Sequence, residues 1–231
     1  MSSRGLLVLV ACAVAVAAAW MGWRAYSGSH RTPVAVQVPA GTASPPNPSD
    51  LIPEESSEPV QKIPEQMPAF SLKNLHGKPT PVSTWAGKSL VINFWATWCA
   101  PCRREIPLLK ALSADSRHKD TQIVGIAVDY ADKVEEFADQ FKIPYPILVG
   151  EQDALDVATQ LGVAKPAFPF TVFTDRRGEV VALFVGELHQ PQAELILGEV
   201  ARLDRGQLPL NQARDNIAEG LAALAAAPDH G

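Results

Sequence analysis

The sequence predicts an α/β domain with a central mixed β-sheet flanked by helices, and three observations carry the prediction. An apolar run, SLVINFWA, passes straight into a segment of helical period, CAPCRREIPLLKAL, within residues 89–112. A second apolar run, TQIVGIAVD at 121–129, is followed by Val134, Phe137, Ala138 and Phe141 on one side of a helix over 133–141, the βαβ alternation of parallel strands. Farther on, 170–174 and 180–185 read as strands joined by the turn Asp175-Arg176-Arg177-Gly178, an antiparallel hairpin that makes the sheet mixed.

Taken from its start, the chain has 231 residues and a formal charge of -5, which suits one domain of ordinary size plus extensions. Basic residues are scattered among acidic ones, which argues against a nucleic-acid partner. Residues 5–23, GLLVLVACAVAVAAAWMGW, are uncharged, with Arg4 before them and Arg24 after. At about 1.5 Å per residue such a run just crosses a hydrocarbon layer of roughly 30 Å, and Trp20 and Trp23 stand where an interfacial anchor belongs. Residues 1–24 are therefore expected to be an uncleaved single-pass membrane anchor. Two readings compete with it. A cleaved signal peptide fits poorly with the bulky Trp20, Met21 and Trp23 that end the run, and a lipoprotein box at Cys12 fits poorly with the apolar run continuing past it. Arg4 on one side and Arg24 and Arg31 on the other leave the orientation weakly fixed by charge.

Residues 25–66 turn to Pro, Ser, Glu and small residues, a composition that buries too little surface to offset ordering entropy. They read as a tether. The folded domain is expected over 67–206. It opens with a short hairpin around Asn74-Leu75-His76-Gly77, with His76 on the surface. The central strand follows at 90–94, the turn out of it at 95–98, and a helix at 99–112. Residues 144–150 read as another strand and 153–161 as a helix capped by Asp153. Leu195, Ile196, Val200 and Leu203 set a last helix over 190–203. In the tail, 207–231, Ile217, Leu221 and Leu224 have the spacing of a short amphipathic helix; packing on the domain, self-association and fraying all remain open.

The chemistry centres on Cys99 and Cys102. A cysteine at a helix N-terminus meets free N–H groups and the positive end of the dipole, which lower a thiol pKa from about 8.5 toward roughly 7. Cys99 is the expected nucleophile. Cys102, one turn on and more buried, can close a short reversible disulfide and is the expected resolving thiol. Half of a zinc site is the bland alternative, but the only other cysteine is Cys12 and no histidine lies close in sequence. Trp98, directly before the nucleophile, is the candidate for an exposed platform that meets the partner.

The block NFWATWCAPCRREIP resembles the active site of the thioredoxin superfamily, and in particular the membrane-attached TlpA/ResA-like thiol–disulfide oxidoreductases. The resemblance implies a thioredoxin-like fold with the branch's additional strand–helix segment, placed here between Asp129 and Gly162. It implies an acidic residue one turn after the second cysteine, which is Glu105. In thioredoxins an aspartate lies six residues before the first cysteine; Asn93 stands there, so carboxylate assistance to proton transfer falls to Glu105 or to water. It also implies that Pro169 is a cis proline lying against the dithiol, so that Phe168 offers backbone groups to an incoming peptide in a β-like pairing. Pro101, between the cysteines, and the resemblance together point to a reducing potential.

The expected function is reduction of disulfides in exported proteins, in cytochrome c or oxidase maturation. The catalytic residues are Cys99, Cys102, Glu105 and Pro169, and Trp98, Pro101 and Phe168 contact the substrate. No cofactor or metal is expected. The implied partners are exported proteins with disulfides or paired cysteines and a membrane-embedded thiol reductase as electron donor. The implied location is the bacterial inner membrane with the catalytic domain in the periplasm. Phe170 stands where the dedicated cytochrome-maturation branch places a glutamate, which weakens that narrower role. A disulfide-introducing oxidase uses the same residues in reverse, and a thioredoxin-fold peroxidase shares the fold; these are the rival readings.

Overall fold

The computed structural model describes residues 63–163, 165 and 167–227. The apolar run at 5–23 lies outside them, as does the expected tether up to residue 62. Among the described residues no helix is long and apolar enough to cross a membrane.

The first hairpin pairs β1 (Ser71–Asn74) with β2 (Pro79–Pro81). Its turn is made by Asn74, whose Oδ1 accepts the N–H groups of His76 and Lys78 at 3.0 Å each, and by Gly77, whose φ of 73° suits a residue without a Cβ. His76 is exposed. The central strand is β3 (Ser89–Trp95), buried at every position because it is covered on both faces. It pairs in parallel with β4 (Thr121–Val128) and antiparallel with β6 (Phe170–Thr174). β4 pairs in parallel with β5 (Ile147–Gly150), β1 lies antiparallel to β5, and β7 (Val180–Val185) antiparallel to β6. The sheet is therefore seven-stranded and mixed, in the order β2-β1-β5-β4-β3-β6-β7.

The helices are α1 (Ala100–Ala114), α2 (Ala131–Phe141), α3 (Gln152–Gln160), α4 (Gln190–Asp204) and α5 (Leu210–Ala226). The alternation of β3 divides them into layers. Val91 and Trp95 face α1, α2 and α4 through Ile106, Leu109, Val134, Phe137 and Ile196. Ile92 and Phe94 face α3 through Ala154, Val157 and Leu161. This is the thioredoxin-like arrangement, extended between Asp129 and Gly162 by strand–helix material among α2, β5 and α3.

Several boundaries differ from the sequence expectation. β3 continues through Trp95, which is 2% exposed and belongs to the core, so the turn is confined to 96–98. β5 begins only at Ile147: Pro144 and Pro146 have no N–H to give the ladder, and the Pro146 carbonyl instead accepts from Gly125 at 2.9 Å. Asp153 is not the cap of α3. Glu151 holds that position without a side-chain bond, and Asp153 lies in the first turn, its Oδ1 accepting the Ala154 N–H at 3.1 Å.

The tail forms α5, which packs on the domain. Ala213 and Ile217 join the α1–α4 core, and Arg214 donates to the Val180 carbonyl at the sheet edge. Asn216 Nδ2 donates to Glu199 of α4 at 2.8 Å, and Gly220 lies so close to Leu195 that a Cβ would meet its Cδ2 at 2.6 Å. At the other end, the chain joins the sheet at Glu65 and Gln66, slightly ahead of the expected start. Val180 donates to Glu65 at 2.9 Å and Met67 to Gly178 at 2.8 Å.

Candidate active site

Strand β3 delivers the chain into α1 through a turn that is tied down on both sides. Asp129, 9% exposed at the end of β4, accepts the backbone N–H of Thr97 at 3.2 Å and the Thr97 hydroxyl, while its other oxygen accepts from Tyr130 at 2.8 Å. Cys99 is then the N-cap of α1, with a proline in the first turn, Pro101. Its Sγ accepts the Cys102 N–H at 3.2 Å, one of the donors a helix start leaves free. Cys99 and Cys102 form a disulfide with Cα atoms 5.3 Å apart. Cys99 is 5% exposed and Cys102 1%: the order is the expected one, but the first sulfur is itself well covered, with Ala96 and Phe168 among its neighbours.

The Phe168–Pro169 peptide bond is cis, and the Pro169 carbonyl accepts from Gly186 at 2.9 Å. Trp98 is 69% exposed, and its ring meets that of Phe168 edge-on with centroids 6.1 Å apart. Phe168 stacks on Phe170 at 6.2 Å and Phe170 on Phe94 at 4.3 Å. A row of aromatic rings therefore runs from the surface beside the dithiol into the core of the sheet.

Glu105 is buried, 2% exposed, although a glutamate on a helix is usually solvent-facing. Its Oε1 accepts from Asn93 Nδ2 at 2.8 Å and its Oε2 from the Leu188 N–H at 2.9 Å. Asn93 also donates to Thr171 Oγ1 at 3.0 Å, its register partner on β6. Burial pushes the Glu105 carboxyl up to about 7, against the two hydrogen bonds, which favour the charged form. Tyr145, mostly buried, has its hydroxyl pushed up by burial and by the Glu105 charge. Across β4, Gly125 stands opposite Asn93 and leaves room for the Trp95 ring, whose buried Nε1 has no hydrogen-bond partner among the described residues. Next to Glu105, the exposed Arg104 forks onto the Glu187 carboxylate through Nε at 2.9 and 3.1 Å. Among the described residues no group of three or more His, Cys, Asp or Glu could hold a metal ion.

The site is thus a disulfide-bonded cysteine pair at a helix N-terminus, at the same end of a mixed sheet as a cis proline. The AhpC/TSA family profile covers residues 63–183, just over half of the chain. The chain belongs to this family, within the thioredoxin superfamily. Its branch is ResA/TlpA-like, and it is a thiol–disulfide oxidoreductase with disulfide-reductase activity. It is 32% identical over 134 residues to the thioredoxin-like protein YneN of Bacillus subtilis, covering 56% of this chain and 75% of that one. It is 32% identical over 128 residues to the thiol-disulfide oxidoreductase ResA of Geobacillus kaustophilus, covering 55% and 71%. A putative thioredoxin from Neisseria meningitidis superposes with a TM-score of 0.52 at 26% identity, covering 60% of this chain and 92% of that one.

The structure brings Cys99, Cys102, Trp98, Pro101, Phe168 and Pro169 to one end of the sheet, with Glu105 beneath the second cysteine. Sequence reasoning did not find Thr97 and Asp129, Thr171, or the pair Leu188 and Glu187. An aspartate ending an apolar parallel strand beside a catalytic turn was a usable signal for Asp129. Nothing local marks the others.

Proposed function

We propose that this oxidoreductase is a membrane-tethered, extracytoplasmic reductase of disulfides in exported proteins, with Cys99 as nucleophile and Cys102 as resolving thiol. The observation that supports the roles is the placement of Cys99 Sγ on the Cys102 N–H at the start of α1, which favours charge on the first sulfur over the second. The Cys99 thiolate attacks one sulfur of the substrate disulfide, forming a mixed disulfide and releasing a substrate thiolate. Cys102 gives up its proton and attacks Cys99, which closes the Cys99–Cys102 disulfide and releases the second substrate thiolate. Two electrons pass to the substrate. Glu105, near half-ionised at neutral pH, takes and returns the Cys102 proton. Trp98, Pro101, Phe168 and Pro169 form the edge on which the substrate lies, and a membrane-embedded thiol reductase returns the electrons. Apocytochrome c and oxidase-assembly cysteines are the substrate classes we infer, with Phe170 directly after Pro169 weighing against the first.

The equilibrium potential of the Cys99–Cys102 pair tests the direction. A value near thioredoxin's, about -270 mV, is expected; one near about -120 mV would make the chain an oxidase. Retention of the full-length chain on membranes through a high-salt wash tests the tether, and its release would remove it.

A further inference from the structure

We propose that the exposed Arg104–Glu187 pair is a positioning clamp that holds residues 186–189 so that the Leu188 N–H stays on Glu105, and thereby sets how readily that buried carboxyl takes up a proton. Two adjacent residues of α1 grip two adjacent residues of the β7–α4 loop. Outside, Arg104 forks onto Glu187; inside, Glu105 Oε2 accepts from Leu188 at 2.9 Å. Neighbours on a helix point in different directions, so the surface contact and the buried one restrain the loop about separate axes. The loop is also held by the Gly186 N–H on Pro169 and by the Leu188 side chain, 1% exposed, so the clamp adjusts a structured loop rather than ordering a loose one.

The groups around Glu105 define what the clamp controls. Asn93 reaches it from β3 as a neutral dipole and is itself held by Thr171 of β6, the Tyr145 hydroxyl ahead of β5 feels its charge, and Cys102 lies one turn back on α1. Glu187 is the nearby like charge, and it acts to keep Glu105 protonated; Arg104 and, more weakly, His189 offset it. Loss of Arg104 therefore acts in one direction by every route: it loosens the Leu188 bond, uncovers the Glu187 charge and removes a cation. Loss of the Glu187 charge alone separates the routes. Electrostatics without positioning would make Glu105 more acidic, whereas a loosened Leu188 bond makes it less acidic.

The inference rests on the proposed role of Glu105 as proton carrier, and its test reads the carboxyl directly. Glu105 titration is followed in the full-length chain by difference infrared absorption of the carboxylic C=O, with Glu105→Gln identifying the band. Arg104→Gln is expected to raise the midpoint by about half a pH unit or more, Glu187→Gln to raise it as well, and Arg104→Lys to recover part of the shift. An unmoved midpoint in Arg104→Gln, or a lowered one in Glu187→Gln, overturns the clamp. Urea denaturation of each variant verifies that it is folded. Where the midpoint moves but the pH profile of exchange does not, the clamp stands and the proton-carrier role falls.

Discussion

Asn93 Nδ2 lies 2.8 Å from Glu105 Oε1, so an amide on the central strand holds a carboxyl that α1 carries into the core. The amide occupies the strand position at which thioredoxins keep their own acid. In this chain the acid stands on the helix, and the strand supplies its hydrogen-bond donor.

Stability should report the protonation of Glu105. A carboxyl raised from 4.5 to about 7 in the folded chain binds more proton there than in the unfolded chain, so its contribution to stability is greatest below about pH 4.5 and is lost as pH rises through 7. Glu105→Gln should abolish that slope, worth at most about 3 kcal/mol. Gln offers one oxygen to the two donors, Asn93 and Leu188, which adds a pH-independent cost of about 1–3 kcal/mol. Urea denaturation of both proteins from pH 4 to 8 checks the slope, and the exchange rate of the variant should lose its inflection near neutrality.

The two cysteines should separate in trapping. Cys102→Ala should accumulate mixed disulfides with partner proteins that dissolve on adding reductant, and Cys99→Ala should trap few. Non-reducing gels of cells expressing each variant check this. A reversed pattern would exchange the two roles.

Gly125→Ala should destabilise the domain although it adds one carbon. The new Cβ would stand 2.9 Å from Trp95 Nε1 and 3.4 Å from the Tyr145 ring, both buried. Overpacking of this kind costs about 1–3 kcal/mol, measurable as a lower urea midpoint. An unchanged midpoint would mean that Trp95 has space to move.

Ile217→Ala should cost about 2–5 kcal/mol, the range for truncating a buried isoleucine, because Ile217 is 4% exposed in the main core. The same substitution in a frayed tail would cost nothing. Thermal unfolding distinguishes them.

Much of the architecture was legible because it rests on local pattern. The run ending at Trp95, the helix after it and the Asp175–Gly178 hairpin each carry their own period or turn chemistry. Glu105 was half legible. It falls within the stripe Cys102, Ile106, Leu109 and Leu112, which puts it on the buried face, yet a glutamate there also fits an exposed position. Its partner Leu188 was not legible, since the bond joins residues 83 apart and uses a backbone N–H that no side chain advertises. Pro144 and Pro146 shortened β5 for the opposite reason: the apolar pattern ran on, but the donors were missing.

The pairing of Glu65 and Gln66 with the start of β7 fixes where the chain enters the domain. β6 runs antiparallel to β3, so the Gly178 turn lies at the end of the sheet opposite the one at which Trp98 and Cys99 emerge. The chain therefore enters the sheet at one pole and carries its reactive cysteines at the other, so a change at the Glu65–Gln66 entry is separated from the dithiol by the length of β6.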